Sequence, residues 1–398
     1  MKKQSPLFIV FLTVFLDLLG FGILIPLLPF VASDYHAGGF QVGLLMSSYS
    51  IMQFLFAPLW GRVSDRYGRR PVILCSLIAS TSGSLIFAFA KSLEWLFLSR
   101  IIAGIAAANI STAQAIVADC LPPQERTRGM GMVGAAIGLG FMFGPAIAGI
   151  MVQQHSYMLP FLVSAGLSGL DFVLAYILLP ETLSLEGNSH LEQRRVSLKI
   201  LRKALSVRRI PQLLSISLLY FIAFAMMEGT FGLFVEKEFA LNARQNSYIL
   251  FLVGVVMVII QGGVVGRVAK RIGDLRVLEI GIFGVLLGLS LIGFSSTIHF
   301  LLGSVVVLAV FAGFSTPSLS SLISQISAQE VQGGILGLNQ SMASLGRIAG
   351  PLCGGELFDA WGSRSPYFLS ATLVLAALLL VLSFRFMKIK EPAPSGSS

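Results

Sequence analysis

Four ionisable side chains lie inside long apolar stretches of this sequence. Asp17 and Glu228 are acids, and Arg100 and Arg347 are bases. At the centre of a membrane helix such a residue costs ~2.5–3.5 kcal/mol on insertion scales, so it normally faces a cavity or a partner. The acids could take up and release protons, and the arginines could hold a charged solute. For Asp17 and Arg100, a purely structural buried pair is the alternative.

Helical spacing places small or polar residues on the same face as three of these charges. Thr13 and Gly20 share a face with Asp17. The other two faces combine Arg100 with Gly104, Ala107, Ser111 and Gln114, and Arg347 with Gln340, Ser344 and Pro351. Each face therefore predicts the lining of a polar pathway between apolar helices.

The elements that carry these faces must lie in a membrane. Of the 398 residues, 55% are hydrophobic and only 12% are charged, whereas a soluble domain carries roughly 25% charged residues. Stretches of about 17 to 28 apolar residues are long enough to cross the ~30 Å hydrocarbon core. We expect an all-α integral membrane protein with twelve transmembrane helices, near 7–32, 41–60, 72–90, 93–117, 128–152, 157–179, 212–235, 245–265, 275–295, 298–325, 331–357 and 365–387.

The net charge of +9 reports topology rather than a polyanionic partner. Most of the 28 Lys and Arg residues fall in alternate gaps between the apolar stretches. Such a bias marks the cytoplasmic loops. The sequence thus predicts a multi-pass protein of the cell (inner) membrane, with both termini cytoplasmic and without a nucleic-acid partner.

The sequence gives no support to an enzyme. The four histidines fall in predicted loops or at helix ends, and the three cysteines show no metal-ligand spacing. No histidine joins a nucleophile–base constellation or a zinc pattern. A phosphate-binding loop is also missing from the sequence, so ATP is not the implied energy source. We expect no cofactor and no metal.

The strongest local motif follows the second predicted helix, from Gly61 to Arg70. Its glycines permit a sharp turn and a close helix approach, and its acid and bases can complement helix ends. We interpret it as a cytoplasmic latch that is remade when the protein changes state; a solvated basic loop is the alternative. The residues concerned are Gly61, Asp65, Arg66, Gly68, Arg69 and Arg70.

The fifth predicted helix is rich in glycine. Small residues at four-residue spacing let two helices approach closely, and a proline removes a backbone hydrogen bond and permits a kink. This pattern predicts a tightly packed, bent helix that helps to gate a pathway. The motif residues are Gly140, Gly144, Pro145 and Gly149.

Two features recur at one offset. Gly266 begins a weaker copy of the Gly61 motif, and Gly350-Pro351 repeats Gly144-Pro145, each about 205 residues later,. Duplicated transporters place the substrate site at the midplane between the repeats. We expect an N-terminal bundle at 1–180, a cytoplasmic linker at 181–210 with a surface helix around Leu198, Leu201 and Leu205, a C-terminal bundle at 211–390 and a disordered tail at 391–398.

These motifs resemble the major facilitator superfamily, specifically its twelve-helix drug/proton antiporter branch, over nearly the whole chain. The Gly61–Arg70 motif, Arg100 with Gly104 and the fifth-helix glycines match its signatures. Asp119 with Arg126, and Pro180-Glu181-Thr182, also fit. The first helix, Leu16 to Gly22 followed by Pro26 and Pro29, is similar to that of the tetracycline/proton antiporters.

The resemblance implies alternating access, with export of a small organic compound driven by inward proton movement. Asp17 would bind the proton or a substrate charge, Arg100 would tune that site, and Asp119 and Arg126 would join the latch. Tetracycline exporters also carry a histidine in the eighth helix and an aspartate in the ninth, where this chain has Met257 and Phe283. Coupling would therefore fall to Asp17, Glu228 or a further acid, for which the candidates are Asp171, Glu279 and Glu356.

Proton-coupled export of drugs or amphipathic metabolites is the leading hypothesis. Uptake or exchange of an anionic metabolite, held by Arg100 and Arg347, is a second. A membrane sensor or scaffold that transports nothing comes from a different class, but no signalling domain is evident in the sequence. The expected partners are a small-molecule substrate, protons and the lipid bilayer, and we expect a monomer.

Overall fold

The protein is a bundle of α-helices in two halves. A computed structural model describes residues 6–107, 109–121, 125–153, 156–182, 209–327 and 332–386. The first half contains α1 (Pro6–Leu24), α2 (Leu28–Asp34), α3 (Gly39–Tyr67), α4 (Arg69–Ala88), α5 (Leu93–Ala106), α6 (Asn109–Cys120), α7 (Arg126–Met151) and α8 (Met158–Leu178). The second contains α9 (Arg209–Phe239), α10 (Ala243–Ile259), a π-helical turn (Ile260–Val264), α11 (Val265–Ile272), α12 (Asp274–Gly293), α13 (Ile298–Ile326), α14 (Gln332–Trp361) and α15 (Ser365–Phe386).

The described helices are consistent with the predicted all-α fold of twelve crossings. Ten helical spans within them are long and apolar enough to cross a membrane. The remaining two predicted crossings are the fourth, which is divided between α5 and α6, and the eleventh, which is α14. α14 is 30 residues long but rich in glycine and polar residues, so its mean hydropathy is lower.

Parts of the predicted organisation fall outside the described residues. These are most of the linker at 181–210, the surface helix around Leu198, Leu201 and Leu205, and the tail at 391–398. α9 begins at Arg209, inside the last two residues that we assigned to the linker.

The first crossing is broken rather than continuous. The predicted helix at 7–32 divides into α1 and α2 at residues 25–27. Proline lacks the N–H that a helix interior needs, and Pro26 and Pro29 lie at this break. The side-chain amide of Asn246, on α10, donates a 2.9 Å hydrogen bond to the Pro26 carbonyl. A contact from the other half thus satisfies a backbone group at the break.

The second crossing is longer than predicted. α3 continues through Gly61 to Tyr67, so the motif that we predicted as a loop is helical over most of its length. The turn is confined to Gly68, whose φ of +105° is disfavoured for residues with a side chain,. Helix α4 begins immediately afterwards, at Arg69.

The two halves meet tightly at one end of the bundle, which we call the sealed end. A Cβ added to Gly43 of α3 would lie 2.1 Å from the Pro351 carbonyl oxygen of α14. Gly39 and Gly355 approach each other in the same way, one turn further along. Only glycine allows backbones to come so close. The sealed end is therefore a seam of backbone contacts between the halves.

The halves diverge toward the opposite end, which carries the Gly68–Arg70 turn and which we call the arginine end. A Cβ on Gly254 of α10 would still lie 2.8 Å from Met142 of α7. Nearer the arginine end, a Cβ would meet no neighbouring atom of the described residues within 4 Å at Gly134 and Gly138 of α7 or at Gly333 and Gly337 of α14. The space between the halves is therefore open at the arginine end and closed at the sealed end.

Candidate functional site

Asp17 lies in a cavity within the first half. The Ser80 hydroxyl donates a 3.1 Å hydrogen bond to its carboxylate. The cavity has a volume of about 30 Å³ and is open to solvent on one side. Helices α1, α3, α4, α5 and α8 form its wall, with Asp17, Leu18, Gly20, Phe21, Leu24, Tyr49, Ser80, Ser84, Arg100, Ala103, Ala107, Ser164 and Ser168.

Arg100 shares this wall, as the sequence predicts for a joint site. Its residue is only 3% exposed, and its guanidinium donates to Ser99 Oγ at 3.2 Å. The charge lies 5.1 Å from the Phe87 ring centre and 6.0 Å from that of Tyr49. Aromatic faces attract cations, so two rings contribute to holding the charge. Helical periodicity gave no signal for either ring, because both lie on other helices.

Gly104 explains how Tyr49 comes near Arg100. A Cβ at this position would lie 2.5 Å from the Tyr49 carbonyl oxygen. The glycine, one turn after Arg100, thus lets α5 press against α3. Gly104 and Ala107 are buried with Arg100 as predicted, Gln114 is exposed, and the Ser111 side chain lies outside the described residues.

Tyr49 links the charges of the two halves. It lies within electrostatic reach of Asp17 and Arg100 and also of Arg347 on α14. Arg347 in turn interacts electrostatically with Glu228 on α9 and donates a 3.1 Å hydrogen bond to Ser344. The four predicted charges thus belong to one polar centre at the junction of the halves.

A fifth ionisable group, Asp171 on α8, joins this centre. Its residue is fully buried, at 0% exposure, and neither carboxyl oxygen has a hydrogen-bonding partner within the part of the chain that the structure describes. Asp17 of α1 interacts with it electrostatically, and Thr13, also on α1, lies close to it. The sequence analysis gave Asp171 only as one of several candidate acids and could not locate it, because periodicity within a helix does not show which helices are neighbours.

The turn at the arginine end is held by charges from several helices. Arg69 contacts Asp65 at 2.5 Å and Asp119, on α6, at 3.1 Å. Glu181 accepts the backbone N–H groups of Arg69 and Arg70 at 2.9 and 3.1 Å. An acid at a helix N-terminus is favourable. Glu181 came to notice only through the resemblance, and it completes the site.

Arg70 supports the same turn from its other side. Its guanidinium donates a 2.6 Å hydrogen bond to the Tyr176 carbonyl near the end of α8. It also lies 5.4 Å from the centre of the Tyr176 ring. This matches the expected contact with a helix C-terminal carbonyl.

Three other predicted latch residues contribute less in this state. The expectation that Gly61 provides a close approach is wrong here, because a Cβ there would have no neighbour within 4 Å. Arg66 lies 5.5 Å from the ring of its neighbour Tyr67, a contact within α3. The side chain of Arg126 lies outside the described residues.

The second half contains the equivalent corner with different chemistry. Gly273 has a φ of +82° and precedes α12, as Gly68 precedes α4. Asp274 then accepts hydrogen bonds from Ser321 at 3.0 Å and Gln325 at 2.6 Å, both on α13. The duplicated joint is therefore charged in one half and held by neutral donors in the other.

The fifth-helix motif packs against both halves. A Cβ on Gly140 would lie 2.7 Å from the Leu18 side chain, and one on Gly144 would lie 2.4 Å from the Gly22 backbone. Gly149, four residues after Pro145, packs instead against α10: a Cβ added to it would lie 3.0 Å from the Tyr248 ring. α7 thus connects α1, which carries Asp17, with the seam between the halves.

A carboxylate fastens the sealed end. Asp359 of α14 accepts the backbone N–H groups of Gly39 and Phe40 at 2.8 Å each. These donors are the free N–H groups at the start of α3, where negative charge is stabilising. Arg244 adds a 2.7 Å bond to the Val152 carbonyl. Asp359 was not predicted from the sequence, because nothing around an acid near one helix end shows that it will bind the start of a helix about 320 residues earlier.

Comparison with known proteins identifies relatives that match this architecture along its whole length. The family model described as Major Facilitator Superfamily matches residues 10–278 and 262–398. Tetracycline resistance protein, class C, of Escherichia coli is 32% identical, and 96% of each chain is covered. Multidrug resistance protein 1 of Bacillus subtilis (strain 168) is 29% identical, again with 96% of each chain covered.

Solved structures agree on the fold. The crystal structure of the human organic anion transporter TETRAN is 26% identical, with a TM-score of 0.70, and covers 96% of this chain and 100% of that one. A bacterial homolog of the human lysosomal transporter Spinster, in an inward-facing and occupied conformation, has a TM-score of 0.80 at 13% identity and covers 98% of both chains. The latter likeness concerns the fold alone.

Proposed function

Because the chain belongs to the Major Facilitator Superfamily, we propose that it is a secondary active transporter that exports small amphipathic organic compounds by proton-coupled antiport. It is a multi-pass membrane protein and not an enzyme. The names of the relatives, multidrug and tetracycline resistance proteins, support drug export. No cofactor is required by this reading.

The observation that carries the proposal is the position of Asp17. Its carboxylate lines a cavity at the centre of one half and lies within electrostatic reach of Tyr49 at the junction with the other. A carboxylate there can hold either a proton or a cationic group of a substrate, but not both at once. Competition of this kind couples the two movements. Arg100 and Arg347 would tune the balance, and Glu228 would offset Arg347.

Alternating access would use the two ends in turn. The positive charges of the Gly61–Arg70 motif support a cytoplasmic position for the arginine end, and both termini would lie on the same side. The described state is then open to the cytoplasm. Rocking of the two bundles as a monomer would close the arginine end while the seam opened, with the Gly140–Gly149 segment of α7 as the moving joint.

Tetracycline itself is not the substrate that we propose. Met257 packs against the core of the second half, and Phe283 is 57% exposed on its outer surface. These residues stand where the resemblance places a histidine and an aspartate in tetracycline exporters. A hydrophobic side chain at either position cannot titrate.

Dye accumulation in an efflux-deficient host tests the proposal. Wild-type chain should lower accumulation of a cationic dye, a protonophore should restore it, and Asp17→Asn should abolish the difference. Glu94→Gln is the matched control, because Glu94 is an exposed acid at the start of α5. Accumulation that neither falls on expression nor responds to the protonophore would refute export.

Exchange or uptake of an anion is the second candidate, favoured by the two arginines near Tyr49. The human relative of known structure is described as an organic anion transporter. Binding of matched anionic and cationic compounds to purified protein separates the two functions. If Arg100→Ala and Arg347→Ala leave anion binding unchanged, this candidate fails.

A further inference from the structure

We propose that Asp171 is a second proton-binding group, which exchanges its proton with Asp17 across the interface between α8 and α1. The inference rests on the proposed proton coupling and names the carrier within it. It concerns an acid to which neither the family match nor the relatives assign a role.

The surroundings of Asp171 require a neutral carboxyl group. The residue has no exposed surface, and neither of its oxygens has a hydrogen-bonding partner within the described residues. The Thr13 hydroxyl of α1 lies near it, but outside the distance and angle range of a hydrogen bond. An isolated ionised carboxylate in such a place would cost far more than its protonation. In the described state, Asp171 therefore holds a proton.

Helix packing brings Asp171 to within about one turn of Asp17. A Cβ on Gly20 of α1 would lie 2.9 Å from Ser164 Oγ of α8, and Ser164 donates a 3.2 Å hydrogen bond to the Gly20 carbonyl. Asp17 lies one turn before Gly20, and Asp171 lies two turns after Ser164. Because the helices run in opposite directions, Asp171 lies level with Thr13 of α1, about one turn from Asp17,.

Two acids so placed cannot both be ionised cheaply, and protonation of one therefore favours ionisation of the other. Asp17 is reached from the cavity, whereas Asp171 lies behind it without solvent contact. A substrate that binds Asp17 would fix its charge and keep the proton on Asp171. When the substrate leaves, the O–H bond on Asp171 breaks as one forms on Asp17, and Asp171 regains a proton when Asp17 takes up the next one from the cavity. The next substrate cation displaces the proton of Asp17 to water, so the two acids are never ionised together.

Other charges on the helices that pack against α8 do not replace this pairing. Asp17 is the described charge on α1. On α4, Arg69 is held by Asp65 and Asp119, and Arg70 is held by the Tyr176 carbonyl. The charges of α7, Arg126 and Arg128, have side chains outside the described residues, and Glu181 binds the backbone at the start of α4.

Hydroxyl groups offer a route on the cavity side. Ser80 already donates to Asp17, and Ser84 and Ser164 lie 3.3 Å apart on the same wall. Ser168, one turn before Asp171, also lines the cavity. The hydroxyls can relay a proton between Asp17 and water without any charged intermediate on α8.

Proteoliposomes with an imposed pH gradient test the inference, with a cationic dye as the probe. Asp171→Asn replaces a neutral acid by a neutral amide, so dye binding and dye–dye exchange should remain while accumulation driven by the gradient is lost. The matched control is Glu94→Gln, which should behave as wild type. Gradient-driven accumulation by Asp171→Asn equal to that of wild type would overturn the role of Asp171.

The two proposals fail separately. If wild-type protein itself ignores the gradient, proton coupling is wrong, whatever Asp171 does. If Asp171→Asn does not fold, as judged by gel filtration, Asp171→Glu serves instead. This acid should keep coupling but shift the pH at which transport is half-maximal, and an unchanged pH profile would overturn the inference.

Discussion

The two ends of the bundle are held by different kinds of contact. At the sealed end the halves touch through glycine backbones, Gly43 on Pro351 and Gly39 on Gly355, with Asp359 across the seam. At the arginine end, the charges that we describe pair within a single half, as Arg69 does with Asp65 and Asp119. Contacts between halves must break during transport, whereas contacts within a half need not. From this difference we propose that the glycine seam is the gate and the charged turn is a brace.

The largest effect should follow from bulk at the seam. Gly43→Leu places a side chain where even a Cβ would lie 2.1 Å from a backbone oxygen. The sealed end should no longer close, and transport should be lost although each half still folds. Dye transport in proteoliposomes and gel filtration would be measured together. Gly166→Ala is the control, since a Cβ at Gly166 would have no neighbour within 4 Å among the described residues. Transport by Gly43→Leu at the wild-type rate would show that the seam is not the gate.

A smaller effect is expected from the two duplicated corners. Arg69→Ala leaves Asp119 without this cation; the Asp119 side chain is only 14% exposed. Because Asp65 is half exposed, we expect a loss on the order of 2–3 kcal/mol rather than the full value for a buried pair. Asp274→Ala removes a carboxylate that accepts from two neutral donors. Because Gln325 is exposed and already bonds to Ser321, both donors can bond to each other or to water, and we expect a loss of about 1 kcal/mol. Thermal unfolding in detergent should rank Arg69→Ala as the less stable variant, and the reverse order would refute the brace.

The smallest effect concerns Asp359. Asp359→Asn keeps an acceptor for one backbone N–H of α3 but removes the negative charge, which is worth about 0.3–1 kcal/mol at a helix N-terminus. The sealed end should open more often, and transport should change by a small factor rather than disappear. The accessibility of a cysteine at Lys91, near the sealed end, to an impermeant reagent would report this. If the cysteine is equally accessible in Asp359→Asn and in the charge-retaining variant Asp359→Glu, the negative charge does not contribute to closure of the sealed end.

Much of the fold could be predicted from the sequence, because membrane helices obey local rules of length and hydropathy. Helical faces indicated that Asp17 and Arg100 each face a cavity or a partner, and the family resemblance implied that the two share a site. The break in the first crossing was missed, since it lies within a continuous apolar stretch. The second helix was ended too early at Gly61, because polarity ends the membrane span there but not the helix.

The remaining features depend on which helices are neighbours. Asp171, Tyr49 and Asp359 gain their roles from residues on other helices, often hundreds of positions away. No periodicity within one helix contains that information. The conformational state is also beyond the sequence, because the same residues must support a structure open at either end. The Asp17–Asp171 pairing thus required the packing of α1 on α8.

Distances at both ends, measured in one sample, test the account most directly. Spin labels at Tyr67 and Arg271 would report the arginine end, and labels at Lys91 and Trp361 would report the sealed end; all four residues are exposed. A change of pH together with addition of dye should shorten the first distance while it lengthens the second. Two distances that stay constant, or that change in the same direction, would contradict proton-driven alternating access between these ends.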